Sequence, residues 1–207
     1  MGDQRGVVTW AKRYDLLIGI LTLGREGALR EKMLNLGEVT PGESVLDVGC
    51  GTGTLAIAAK RRVGANGSVR GIDASPQMIA RARQKAERAK VEVVFETARA
   101  ETLPFSDAQF DVVLTTVMLH HLRRAAREQC VREIRRVLRP GGRLLVVDFG
   151  VKGSGHRGPL AHFHKHGRVK LDDLVSLVAD AGLDVTDSGH TGVGSLLFVL
   201  GKKALPA

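Results

Sequence analysis

Cysteine is nearly absent. Cys50 and Cys130 are the only two and lie far apart in the chain. Such a pair builds no disulfide scaffold and suits a reduced, intracellular protein. Long hydrophobic runs are missing too. The longest, Leu16–Leu23, falls well short of the ~20 residues a membrane-spanning helix needs. Met1–Thr9 is polar and leads into no apolar core with a small-residue cleavage site, so no secretory signal is expected and the expected location is the cytoplasm. There is no internal repeat and no low-complexity tract. Acidic residues are in the minority, 22 against 31 Lys and Arg, leaving a net charge of +9. Two readings of that excess stand: an anionic partner such as nucleic acid or an acidic lipid surface, or a solubilising surface. Its arginines gather at Arg81, Arg83 and Arg88 and again from Arg123 to Arg139. Both clusters fall in helix-like segments, and a charge run is usually a solvated face, which favours the second reading.

What is present is an alternation of strand and helix patterns. The 207 residues, 43% of them hydrophobic, suffice for one domain with a sizeable core. Strands are expected at Ser44–Val48, Val69–Ile72, Val91–Phe95, Asp111–Thr116, Arg143–Phe149, Leu183–Ser188 and Leu196–Leu200. Helices are expected at Thr54–Val63, Gln77–Ala89, Ala125–Leu138 and Leu171–Ala181. Ser75-Pro76 reads as a helix start and Pro140-Gly141-Gly142 as a stop. The pattern predicts an α/β fold with a Rossmann-like, seven-stranded, mostly parallel sheet and helices on both faces. Residues 1–40 read as a helical cap, with a helical pattern over Trp10–Leu36, and residues 41–207 as the domain itself.

The most informative stretch is Val45-Leu-Asp-Val-Gly-Cys-Gly-Thr-Gly53. A buried strand ends in glycines at alternate positions, and such a turn lets a ligand approach the main chain closely. In an open α/β sheet, ligands bind beyond the carboxyl ends of the strands. Gly51, Gly53 and Ala56 also fit the relaxed dinucleotide spacing, and Asp73 stands where a ribose-binding acid belongs. Asp47, two residues before the first glycine, argues otherwise. A carboxylate there suits a cationic amine or sulfonium and repels a pyrophosphate.

Beyond the turn come Glu101-Thr-Leu-Pro-Phe105, Phe110-Asp-Val-Val113 and Leu138-Arg-Pro-Gly-Gly142. Together with Asp47–Gly53, these resemble the successive motifs of the class I S-adenosylmethionine-dependent methyltransferases, in order and spacing, over roughly residues 44–150. Within that family the likeness is to small-molecule enzymes typified by the ubiquinone/menaquinone-biosynthesis C-methyltransferases. The resemblance implies S-adenosylmethionine as cofactor. It implies contacts from Asp47 and from Gly49, Cys50, Gly51, Thr52 and Gly53 of the turn. Asp73 matches the acid that bonds both ribose hydroxyls, and two acceptor oxygens suit two vicinal hydroxyls. Ala74 and Met78 would line the adenine pocket, and Thr116 would stand beside the methionine end. Where the family usually has an acid or amide for the adenine amino group, this chain has Arg99, which cannot accept a hydrogen bond. Either Arg99 stacks on the purine, or it faces solvent and the backbone of Ala100 reads the base. Tyr14 resembles a tyrosine that closes over the cofactor in relatives, with amphipathic packing as the alternative.

A sulfonium methyl is already electrophilic, so alignment and exclusion of water carry most of the chemistry. A base is needed only for a protonated acceptor. His120 and His121, after the fourth strand, are the candidates, against a plain turn role. His156, His162, His164 and His166 form a cluster that suits substrate or anion contact better than metal, since no carboxylate or cysteine interleaves, so no metal is expected. The expected acceptor is a small molecule or a lipid-like one, of quinone or phospholipid type, with peripheral contact to an anionic membrane favoured by the charge. RNA or protein methylation is the alternative, although no nucleic-acid module and no Asn-Pro-Pro-Tyr-type motif is present. A non-catalytic cofactor-binding regulator is the third.

Overall fold

The computed structural model describes residues 26–150 and 169–206. Tyr14, Leu16–Leu23, most of the expected 1–40 cap and the histidines at 156, 162, 164 and 166 lie outside the described residues. The chain runs α1 (Glu26–Leu36), β1 (Ser44–Val48), α2 (Thr54–Val63), β2 (Ser68–Asp73), α3 (Pro76–Ala89), β3 (Val94–Thr97), β4 (Phe110–Thr116), a short turn of 3-10 helix (Leu119–His121), α4 (Arg124–Val137), β5 (Leu138–Phe149), α5 (Leu171–Asp180), β6 (Asp184–His190) and β7 (Leu196–Lys202). The seven strands form one sheet in the order β3-β2-β1-β4-β5-β7-β6. Its first five strands are parallel, and β7 runs antiparallel to both β5 and β6.

The strands that read as uninterrupted apolar runs are the ones covered on both faces. Val45, Val112, Leu114, Leu145 and Val147 pack toward α1, α2 and α3. Their neighbours Leu46, Val48, Val113, Leu144 and Val146 pack toward α4 and α5. Local chemistry sets several boundaries. The Ser75 hydroxyl caps α3 by accepting the Met78 amide, with Pro76 in the first turn.

Two expected boundaries move by three residues or more. The third strand begins at Val94 rather than Val91, because α3 closes through Lys90 in the left-handed conformation (φ 54°) and the Val91 amide bonds back to Ala86. The fifth begins at Leu138, directly at the end of α4. Leu138 pairs with Phe110 and Arg143 with Val112, so Pro140-Gly141-Gly142 is taken up as a bulge within the strand rather than a break before it. The Gly141 amide and the Gly142 carbonyl both bond to the backbone of Lys203, which satisfies the bulge.

Most of the second arginine cluster is spoken for. Arg127 donates to the carbonyls of Leu119 and Leu122, Arg135 to Gly182, and Arg139 to both oxygens of Asp111. Arg136 donates to the carbonyls of Leu103 and Phe105 and to Asp107 and Glu133. These heads fasten loops to α4, so the basic composition is in good part architectural. Arg136→Met takes a donor from two carbonyls and leaves Glu133 with the Leu103 amide, and is expected to cost about 2–3 kcal/mol in chemical denaturation. Arg124→Met, at a side chain 94% exposed and paired only with Glu128, is expected to stay within about 0.5 kcal/mol of the parent.

Candidate active site

β1 and β4 are neighbours whose onward connections leave on opposite faces of the sheet, through α2 and α4. A crevice opens where they diverge, at their carboxyl ends. The turn leaving β1 carries Gly49, Gly51 and Gly53 at φ of 75°, 53° and 76°, a region open to glycine and strained for other residues. The three differ in surroundings. A Cβ at Gly49 would lie 2.3 Å from Met118 Cγ, and one at Gly53 would lie 2.6 Å from Phe95 Cζ. A Cβ at Gly51 would meet nothing within 4 Å among the described residues. The middle of the turn is therefore bare backbone facing open space.

Asp73, at the end of β2, holds this turn in place. One carboxylate oxygen accepts the Gly51 amide at 3.0 Å and the other the Ser75 amide at 2.8 Å. Burial raises its pKa, and the two amides offset part of that rise. Asp47 has no such support. It is 1% exposed, and among the described residues neither oxygen has a hydrogen-bond partner. Burial first, and the negative charge of Asp73 second, push its pKa up to about 7, with the Ala56 amide pulling the other way. That amide belongs to the first turn of α2, whose N-cap is Gly53 with no capping side chain. Cys50 is buried, and burial together with the charges of Asp47 and Asp73 pushes its thiol far up, so it is no nucleophile. The Thr52 hydroxyl is buried and accepts a hydrogen bond from Lys85 Nζ at 2.9 Å.

Of the expected adenine-side residues, Met78 is buried, Ala100 is half-buried and Ala74 is exposed. The Arg99 guanidinium stands 77% exposed and pairs with Glu101 at 3.1 Å. Across the crevice β4 ends at Thr116, half-buried. Val117 follows at φ 54°, its amide bonded to the Val147 carbonyl at 2.7 Å. A β-branched residue there is a backbone outlier, and such strain gathers at functional sites. The corner presses Met118 onto Gly49 and starts the turn that carries both histidines.

His120 is held hard. Asp148, at the end of β5 and with no exposed surface, accepts the His120 backbone amide at 2.9 Å and faces His120 Nδ1 at 2.7 Å. The Phe149 amide adds a third bond to the same carboxylate. The hydrogen-bond pattern assigns the Nδ1 proton toward Asp148, leaving Nε2 as the basic nitrogen. The His121 ring lies 3.9 Å from that of His120. Burial, then the neighbouring ring, lowers its pKa. Sequence reading identified the histidines and passed over Asp148. Its signal was a single acid inside the apolar strand Leu144-Leu-Val-Val-Asp148-Phe149. Among the described residues, no three His, Cys, Asp or Glu side chains gather as a metal site would require, and no helix is long and apolar enough to cross a membrane.

Comparison with known proteins bears on what this crevice holds. Residues 45–142 match a family model described as a methyltransferase domain. The demethylmenaquinone methyltransferase of Thermus thermophilus is 40% identical over 148 residues, covering 72% of this chain and 66% of that protein. The 2-phytyl-1,4-naphtoquinone methyltransferase of Trichormus variabilis is 32% identical over 169 residues, covering 81% and 70%. The chain belongs to the class I S-adenosylmethionine-dependent methyltransferases. The crystal structure of a SAM-dependent methyltransferase from Aquifex aeolicus shares the fold, with a TM-score of 0.70 at 23% identity over 84% of this chain and 88% of that one. S-adenosylmethionine is the cofactor of the family, and the residues here fit it. An uncompensated carboxylate at Asp47 suits a cation, and the bare backbone at Gly51 leaves room for close approach.

Gly49→Ala has to displace Met118 and strain the backbone at once. It is expected to abolish measurable S-adenosylmethionine binding by calorimetry and to destabilise the fold by about 2 kcal/mol or more. For Asp47 the folded pKa lies above that of the unfolded chain. Its contribution to stability is therefore fully present below the unfolded value and is lost as pH rises through the folded one. Asp47→Asn is expected to match the parent near pH ~4 and to exceed it above neutrality by a margin on the order of a few kcal/mol, read from denaturation midpoints across pH.

Proposed function

We propose that this methyltransferase acts on a small aromatic acceptor of the quinone type, in its reduced hydroxyl-bearing form, with His120 as general base. The observation that carries the reading is the His120–Asp148 pair, whose carboxylate is wholly buried and bonded to Nδ1 at 2.7 Å. His120 stands two residues beyond Met118, which packs on Gly49 of the glycine turn. The acceptor class is supported by the quinone-related substrates that the relatives' names carry.

Bound S-adenosylmethionine supplies a sulfonium methyl that needs no further activation. The chain's own residues then have three tasks. The backbone from Gly49 to Gly53, with Cys50 and Thr52, backs the donor, and Asp73 accepts the ribose hydroxyls on lone pairs beyond those that hold the Gly51 and Ser75 amides. Met78, Ala74 and the backbone of Ala100 enclose the adenine, while the outward side chain of Arg99 stays with Glu101. Thr116 stands beside the methionine end. On the acceptor side, His120 Nε2 takes the hydroxyl proton, which raises electron density on the ring carbon that receives the methyl group. That carbon then loses its hydrogen as a proton, which restores the aromatic ring, and the oxygen regains a proton. Asp148 keeps the ring in the tautomer that presents Nε2 and stabilises the imidazolium formed.

Transfer of labelled methyl to a demethylated naphthoquinol, followed by extraction into organic solvent, tests the assignment. Counts in the organic phase support it, and counts only in an added RNA or protein fraction overturn it. His120→Ala is expected to lower kcat by about 10²–10⁴ with cofactor affinity unchanged. Asp148→Asn should fall in the same range through loss of the correct tautomer.

A further inference from the structure

Asp47 is the buried charge that the proposed chemistry leaves unused. It is 1% exposed, and among the described residues both of its oxygens are without partners. The described groups facing it offer no cation. From β2 comes the carboxylate of Asp73, from the turn the thiol of Cys50, and from α2 only the Ala56 amide. Its neighbours across the sheet are Gly71 and Leu114, both uncharged. The amine of Lys85, which reaches toward the turn, is bonded to the Thr52 hydroxyl. An ionised carboxylate is costly in such a place, and the group escapes the cost by holding a proton.

We infer that Asp47 is a specificity-determining residue that is protonated in the free protein and ionises when the cationic methyl donor binds, releasing its proton to solvent. The inference rests on the crevice being the S-adenosylmethionine site. The balance is simple: the carboxylic acid loses one proton to buffer, and its negative charge is then compensated by the ligand's positive charge instead of by hydrogen. Once the methyl group has left and the sulfonium charge is gone, the remaining thioether compensates Asp47 less well, and the acid takes a proton back. Asp47 thereby makes the site sensitive to the charge that distinguishes the donor from its spent product. His120 and His121 lie in the turn after β4, near this end of the sheet, and comparison with Asp47→Asn subtracts any contribution from them.

The test is titration calorimetry of the full chain with S-adenosylmethionine, just below neutral pH, in buffers of different ionisation enthalpy. The expected result is release of the larger part of one proton per site, with fewer released by S-adenosylhomocysteine. Below neutrality, donor affinity should fall by about tenfold per pH unit. Asp47→Asn should abolish the release and flatten the pH dependence. Equal release by parent and variant, or donor binding with no release, overturns the inference and leaves the methyltransferase assignment standing. No donor binding by the folded parent overturns both. Carbon-13 titration of the aspartate carboxyls in the parent needs no variant. It should reveal one carboxyl that titrates near neutrality and shifts to lower pH on adding donor. Absence of such a carboxyl also overturns the inference.

Discussion

The carboxylate of Asp73 fastens two turns to each other, and the geometry of the crevice depends on it. By accepting the amides of Gly51 and Ser75, it sets the glycine turn after β1 against the start of α3. The turn has no side chains with which to hold itself, and all three of its glycines occupy backbone regions that cost other residues dearly. A bare turn presents main chain to a ligand only while something outside it fixes its shape. Here that support comes from the end of the next strand and from the Ile72 carbonyl, which accepts the amides of both Gly49 and Cys50.

Charge is used unevenly across the molecule. On the outside, arginines of α4 satisfy carbonyls and acids that would otherwise be loose ends of loops. On the inside, two aspartates on adjacent strands are treated oppositely: Asp73 accepts two amides, and among the described residues neither oxygen of Asp47 has a hydrogen-bond partner. At the far side of the crevice a third acid, Asp148, is wholly enclosed yet receives three hydrogen bonds. Burial alone therefore does not set the role of a carboxylate in this protein. Its donors do.

The features legible in the sequence were those whose cause is local. The glycine turn, the Ser75-Pro76 start of α3 and the apolar strands could be read because each depends on neighbours a few positions away. The family motifs extended that reading to the order of elements and to the cofactor. The residues that escaped notice act across distance. Asp148 matters through a contact 28 positions back in the chain, and nothing near it announces a partner. The bulge at Pro140-Gly141-Gly142 looked like a terminator because proline and glycine usually are. What keeps it in the sheet is Lys203, near the other end of the domain. The late start of β3 follows from a helix closure through a lysine in a glycine-like conformation, a choice that composition does not advertise.

Val117 occupies a left-handed backbone position where glycine or asparagine would rest more easily. The cost is accepted at the one corner where the chain must both press Met118 onto the glycine turn and deliver His120 to Asp148. A laboratory search for thermostable descendants would be drawn to this position for the backbone strain it relieves, even though the half-buried Val117 side chain packs against the core. It would then select, unknowingly, for a looser hinge between the two halves of the crevice. In this protein the residue easiest to improve by the measure of folding is one that should be left alone by the measure of work.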